Sequence, residues 1–106
     1  MTDAVTVSEI IAQYEKHGWI LRRALLSGKG KAAAITILSS VEIVNSDVDA
    51  LWFSRRSQPE SVAWELRRLS TLPFALVAVI PDDASDDEVE STLEQVIDDM
   101  RAKTFA

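Results

Sequence analysis

Three short segments of the sequence share one helix-start pattern, and their positions constrain how the chain can fold. Each segment has Ser or Thr followed three residues later by Glu: TVSE at 6–9, SQPE at 57–60 and SDDE at 85–88. In this capping box the hydroxyl accepts a hydrogen bond from a backbone N–H of the first turn, and the Glu accepts one from the N–H of the capping residue. The sequence therefore predicts three helices with strand-like segments between them.

The first and third predicted helices are supported by apolar residues at helical spacing. The first is expected over about 7–17 and ends at Gly18, whose left-handed backbone would cap it. The third is expected over about 86–103. Its predicted core-facing residues are Val89, Leu93, Val96, Ile97 and Met100.

Four other segments have the composition of strands: WILRRALL at 19–26, VEIV at 41–44, ALWFSR at 50–55 and FALVAVI at 74–80. VEIV is expected to pair with ALWFSR across the turn NSDVD. FALVAVI is apolar at every position, which predicts a central strand covered on both faces. The segment KAAAITILSS at 31–40 stays open, because its alanines favour helix and its Ile-Thr-Ile favours strand.

Length and composition favour a single domain. The chain has 106 residues, of which 47% are apolar and 26% are charged, as in ordinary globular proteins. The expected fold is α+β: one domain over 1–106, with a mixed or antiparallel sheet of about four strands packed with three helices.

The absence of cysteine and the acidic charge exclude several function classes. Without cysteine there is no disulfide framework, thiolate metal site or cysteine nucleophile. The N-terminal residues lack a signal-peptide pattern and FALVAVI is too short to span a bilayer, so we expect a cytoplasmic protein without a membrane partner. The net charge of −6 predicts no nucleic-acid partner.

The residues that carry catalysis or bind metals do not form a recognisable set. His17 is the only histidine, and a capping or surface role suits it better than acid–base chemistry. Asp47 and Asp49 with Glu65 lack the lysine that a nuclease pattern requires. The acidic run at 81–90 has no calcium-loop spacing and suits the start of a helix. The sequence thus predicts no catalytic residue, metal site or cofactor, and it favours a non-enzymatic role.

The predicted second helix raises a question about its tryptophan. Starting from Ser57, with Pro59 in its first turn, it would turn Val62 and Leu66 to the core. Trp64 would then lie on the polar face, which predicts an exposed side chain or one covered by another chain. The candidate interaction surface comprises this helix and the preceding strand: Trp64, Arg67, Arg68, Trp52, Arg55 and Arg56.

Strand alternation bears on the arginines of this region. It places Arg55 and Arg56 on opposite faces of their strand, and it likewise separates Arg22 from Arg23. An arginine near a sheet face is paired, faces solvent or holds an anion. Both strands would therefore offer one arginine to each side of the sheet.

Two functional hypotheses remain open from the residues alone. The first is a small protein that acts by protein–protein contact, as a homodimer or as an adaptor of the kind seen in bacterial secretion chaperones, whose size and acidity are comparable. The alternative is an anionic small-molecule-binding or enzymatic domain that uses the Arg/Trp residues. A concentration-dependent dimer would favour the first, and stabilisation by anions would favour the second.

The segment DALWFSRRSQPESVAWELRRLSTLPFAL, at 49–76, also resembles a family of short bacterial proteins with a DALWFSR…AWELR…PFAL core. The resemblance implies a compact bacterial α+β domain. Because that family has no known activity, the resemblance implies no functional residues.

Overall fold

The computed structural model describes residues 4–27, 41–69 and 75–105, which form two helices and five strands. The segment 31–40, left open by the sequence, lies outside the described residues. The elements are α1 (Ala4–Lys16), β1 (Ile20–Leu26), β2 (Glu42–Asn45), β3 (Ala50–Gln58), β4 (Ser61–Arg68), β5 (Ala75–Pro81) and α2 (Asp86–Phe105).

The five strands form one sheet in the order β2-β1-β3-β4-β5. β1 and β2 are parallel, whereas β1–β3, β3–β4 and β4–β5 are antiparallel. The predicted α+β class with a mixed sheet is therefore confirmed. The described part of the chain has five strands and two helices, in place of the predicted four strands and three helices.

The second helix was predicted wrongly, because SQPE forms the tip of a β-hairpin. β3 continues to Gln58, Pro59 and Glu60 form the turn, and β4 follows from Ser61. Proline fixes the backbone that the second residue of a tight turn requires, so it suits a hairpin turn as well as a helix start. β4 gains neighbours on both sides, β3 and β5, and these pairings outweigh the local helical pattern.

The pairing of VEIV with β3 was also wrong. β2 lies beside β1 in parallel register, with Ile43 opposite Ala24 and Val44 opposite Leu25. β3 has its two neighbours in β1 and β4, so its partner positions are already filled. β2 is consequently one edge of the sheet in the described part of the chain.

The two helices cover opposite faces of the sheet. On the α1 face, the buried residues are Val7, Ala24, Leu26, Leu51, Phe53 and Leu69. On the α2 face, they are Leu25, Val48, Ala50, Trp52, Leu66, Ile80, Leu93, Val96 and Met100. The apolar stripe predicted for the third helix is confirmed, since three of its residues belong to this second group and Val89 and Ile97 pack against it.

The capping box SDDE is confirmed at the start of α2. The backbone N–H of Glu88 donates to the Ser85 hydroxyl at 3.2 Å, and the N–H of Ser85 donates to the Glu88 carboxylate at 3.3 Å. Asp86 and Asp87 add negative charge to the first turn, where the helix dipole favours it. The acidic segment therefore serves the start of this helix.

Gly18 caps the end of α1 as predicted, and its φ is +87°. The predicted start was wrong, because α1 begins at Ala4 and TVSE lies inside the helix. The Trp19 N–H donates to the Tyr14 carbonyl at 3.1 Å, and the Gly18 N–H donates to the Glu15 carbonyl at 3.0 Å. These two bonds are those of a Schellman motif, which satisfies the last carbonyls of a helix. The motif turns the chain directly into β1.

We expect Gly18→Ala to lower the free energy of unfolding by about 1 kcal/mol, because a side chain disfavours the left-handed backbone. Apart from the two residues adjacent in the chain, no described atom lies within 4 Å of the added Cβ, so the cost is conformational and not steric. Urea denaturation would measure it. Gly18→Asn is the matched control and should cost less, since asparagine tolerates this conformation. Equal stability of Gly18→Ala and wild type would contradict the cap.

FALVAVI was predicted to be central and covered on both faces, but β5 is the other edge of the described sheet. α2 covers one face of β5, whereas Val77 and Val79 on the opposite face are 56% and 57% exposed. A helix is about 10 Å wide and strands lie about 4.8 Å apart, so one helix covers about two strands. α1 packs on β1 and β3 and leaves β5 uncovered on its side.

Candidate functional site

The six residues of the candidate interaction surface do not lie together, because the hairpin distributes them over both faces of the sheet. Trp52 is 0% exposed and belongs to the core on the α2 face. Trp64 lies on β4, is half-buried, and packs against the same core, so the predicted polar helix face does not exist. Arg55 lies on the opposite face, near the end of α1.

The two tryptophans do meet in the structure. Their rings are 6.0 Å apart in an edge-to-face arrangement with an interplanar angle of 82°. The Arg22 guanidinium lies 5.9 Å from the centre of the Trp64 ring, and its Nε donates to the Ser54 hydroxyl at 2.9 Å. Among the described residues, the buried Nε1 of Trp52 has no hydrogen-bond partner. Trp64 thus extends the core outward from Trp52, and Arg22 lies over the Trp64 ring.

Arg22 and Arg23 were expected on opposite faces, and this expectation was wrong. The register between β1 and β3 shifts between Leu21 and Arg23, as in a β-bulge. A bulge breaks the alternation of side chains, and both arginines reach the α2 face. Arg23 binds Glu90 of α2 at 3.1 Å. The hydrogen bond from Arg23 lowers the pKa of Glu90.

The remaining arginines of the candidate surface are held by local structure. Arg56 pairs with Asp82 at 2.6 Å and so connects the end of β3 to the turn after β5. Arg67 donates to the backbone carbonyl of Arg68. Arg68 is half-buried on β4. These contacts account for the arginines within the fold and do not bring them to one anion-binding point.

A concave pocket of about 370 Å³ lies on the α1 face, where the end of α1 meets β3 and β4. It is lined by Gln13, Tyr14, His17, Trp19, Arg55 and Glu65. Of these six residues, only Arg55 was predicted from the sequence to be an interaction residue. His17 was predicted to be a cap or surface residue, and Glu65 was not predicted to belong to a functional site.

Aromatic rings form one wall of the pocket. Tyr14 stacks on Phe53 with a centroid distance of 4.0 Å and meets the edge of Trp19 at 6.0 Å. The Arg55 guanidinium lies 4.7 Å from the centre of the Trp19 ring, and its Nη1 donates to the His17 carbonyl at 2.8 Å. Arg55 therefore ties β3 to the end of α1, where a cation also meets the helix dipole favourably.

Glu65 supplies an acidic group to the same pocket. Its half-buried carboxylate accepts a hydrogen bond from the Tyr14 hydroxyl and makes no ion pair with the described residues. The pKa of Tyr14 is strongly raised, first by burial and then by the hydrogen bond to Glu65. The pocket thus contains one carboxylate, one guanidinium and two aromatic rings.

The single tyrosine of the chain allows a direct test of this hydrogen bond. Tyr14 should stay protonated in the folded protein well above pH 10, about where an unfolded tyrosine ionises. Because the folded pKa is the higher one, its stabilising contribution is complete below the unfolded pKa and is lost as pH rises through the folded pKa. Phenolate absorbance during alkaline titration measures it, with the urea-unfolded chain as control. An ordinary titration of the folded protein would contradict the contact.

The pocket could not be predicted from the sequence because its residues are far apart along the chain. Tyr14 and Glu65 are separated by 51 positions. The available signal was the alternation in SVAWELRR, which places Ala63, Glu65 and Arg67 on one face of a strand. Because this segment was predicted to be a helix, the strand alternation was not used to place Glu65.

No convergent metal site occurs among the described ranges. Asp47 pairs with Arg101 at 3.0 Å, and Asp49 accepts hydrogen bonds from Ser27. Neither carboxylate accompanies Glu65 in the pocket. Within the same residues, neither helix has the length and apolar character needed to cross a membrane. No family model, curated protein or solved structure matches the chain.

Proposed function

We propose that this protein acts by protein–protein contact and that β5 is its contact strand, with a second copy of the chain as the partner. The observation that supports this is the exposure of Val77 and Val79, at 56% and 57%, on a strand that has no charged residues and lies at the edge of the sheet formed by the described residues. The proposed surface, termed the β5 edge, consists of Ala75–Pro81. It replaces the six-residue surface predicted from the sequence.

An unprotected edge strand favours strand pairing. Edge strands present unpaired backbone N–H and C=O groups, and proteins that stay monomeric block them with lysines, prolines, bulges or a covering element. Within β5, Pro81 at its end is the only such feature. The register between β4 and β5 is continuous from Ser61–Pro81 to Arg67–Ala75, so no bulge interrupts the strand. The β5 edge is thus suited to accept a further antiparallel strand.

The sequence of β5 suits a second copy of itself. In a dimer with a two-fold axis at Ala78, antiparallel pairing places Val77 of one copy opposite Val79 of the other. The four valines then form one apolar patch on the face that α1 leaves uncovered. Because β5 has no charge, two copies can approach at this strand despite the net charge of −6 on each chain.

Sedimentation equilibrium of the full chain at several concentrations tests the proposal. We expect a reversible monomer–dimer equilibrium that persists in high salt, because the contact is made by valines and backbone groups and not by ion pairs. A single monomeric mass up to high micromolar concentration would exclude the homodimer. A monomer that binds an extended peptide of another protein through the β5 edge would instead support an adaptor and refute self-association.

A further inference from the structure

We propose that the pocket between α1, β3 and β4 binds a free α-amino acid with an apolar side chain. In this arrangement Glu65 receives the ligand ammonium group, Arg55 receives its carboxylate, and the Trp19 and Tyr14 rings contact its side chain. The inference is independent of the dimer, since the lining residues lie on α1, on the turn that follows it, on β3 and on β4, and none lies on β5.

The two charges of the pocket select a zwitterion. A ligand that carried only positive charge would meet the Arg55 guanidinium, and one that carried only negative charge would meet the Glu65 carboxylate. Either ligand would place its charge beside a group of like charge, which is unfavourable. An amino acid carries both charges and satisfies both groups.

The spacing of the two groups follows from the strand register. Phe53 pairs with Glu65 and Arg55 pairs with Ala63, so Arg55 and Glu65 are diagonal neighbours on one face of the sheet. The Cβ atoms of diagonal neighbours lie about 7 Å apart, and no salt bridge joins these two side chains among the described residues. In the proposed arrangement the ligand bridges them with its ammonium and carboxylate groups.

Both groups retain capacity for hydrogen bonds to a ligand. Tyr14 donates to Oε2 of Glu65, which leaves Oε1 for an ammonium group. Arg55 uses Nη1 on the His17 carbonyl, and a guanidinium has five donors in all. The contacts with Trp19 and His17 fix the guanidinium in place before any ligand binds, which reduces the entropy lost on binding.

The size and lining of the pocket indicate which kind of side chain the ligand carries. A volume of about 370 Å³ lies near the lower end of the range for small-molecule sites. The Tyr14 ring is held by its stack on Phe53 and offers an apolar surface beside Trp19. An aliphatic or aromatic side chain covers these rings.

Calorimetric titration of the full chain with L-phenylalanine and L-leucine tests the inference. We expect saturable binding of both. N-acetyl-L-phenylalanine lacks the ammonium charge and L-phenylalanine amide lacks the carboxylate, and each should bind at least about tenfold more weakly, as expected for one lost charged hydrogen bond. Equal binding of the blocked compounds, or no saturation by either amino acid, would overturn the proposal.

Two variants locate the site. Glu65→Gln keeps an acceptor for Tyr14 but loses the charge, and Arg55→Gln removes the guanidinium; each should weaken L-phenylalanine binding at least about tenfold. Glu60→Gln and Arg56→Gln are matched controls on exposed residues outside the pocket and should bind as wild type does. Unchanged binding in both pocket variants would overturn the assignment. The blocked-ligand series on wild type stays decisive if a variant fails to fold.

Discussion

Replacing Val77 and Val79 together with lysine should convert the proposed dimer into monomers and leave the fold intact. Both side chains are more than half exposed in the isolated chain, so the substitutions bury no charge within one copy. In the dimer, four ammonium groups would meet across the two-fold axis, where like charges cost several kcal/mol. We expect association to weaken by at least about a hundredfold, measured by sedimentation equilibrium.

The opposite edge of the sheet offers a matched control. Val44 on β2 is 36% exposed, and Val44→Lys introduces the same charge at the other edge strand. It should leave the dissociation constant of the dimer unchanged. A dimer that survives in the β5 double variant but dissociates in Val44→Lys would assign the contact to β2 and refute the β5 edge.

The absence of native cysteine allows the register of the proposed dimer to be tested as well. If Val77 of one copy faces Val79 of the other, a mixture of the Val77→Cys and Val79→Cys variants should form a disulfide-linked heterodimer on oxidation. Each variant alone places its thiols at diagonal positions beyond the reach of a disulfide, about 7 Å between Cα atoms. Cross-linking of one variant with itself would indicate another register.

Replacing Trp52 with alanine should destabilise the fold more than any other change considered, by about 3–5 kcal/mol. Trp52 is fully buried on β3, between Arg23 of β1 and Leu66 of β4, and it packs among the residues that face α2. Its removal leaves a large cavity in the core. Because domains of this size are stable by about 5–15 kcal/mol, the loss would be evident in urea denaturation as a large shift of the midpoint.

Trp64→Ala is the control for this prediction. Trp64 is half-buried and contacts Trp52 by an edge, so its removal should cost clearly less than that of Trp52. Trp52→Phe fills most of the space and removes the unpaired Nε1–H group, which should recover much of the loss. If Trp64→Ala were the more destabilising change, the placement of the two side chains would be wrong.

Local features of the sequence determined the end of α1, the start of α2 and the core-facing residues of α2. Gly18 fixes the end of α1 because the cap needs a left-handed residue, and Ser85 with Glu88 fixes the start of α2 because their side chains bond backbone groups three residues away. The apolar stripe of α2 follows from helical periodicity alone. Each of these depends on neighbours within about one or two helical turns, which a sequence records directly.

The tertiary structure decided whether SQPE starts a helix or turns a hairpin. Ser, Pro and Glu at this spacing are compatible with a helix start and with a hairpin turn. The segment that follows has no strong preference for helix or strand. Pairing with β3 and β5 selects the hairpin, because hydrogen bonds on both sides of Ser61–Arg68 stabilise a strand. That pairing moved Trp64 onto the core and brought Glu65 to Tyr14.

The position of β5 in the sheet likewise could not be predicted from the sequence. An apolar run records how readily a strand forms, but not how many neighbours or covering helices it obtains. Among the described residues, the sheet order puts β5 at the edge, and α1 lies over β1 and β3 on that face. The proposed contact strand and the pocket both arise in this way: the sequence determined which residues were present, and long-range packing determined which of them remained accessible.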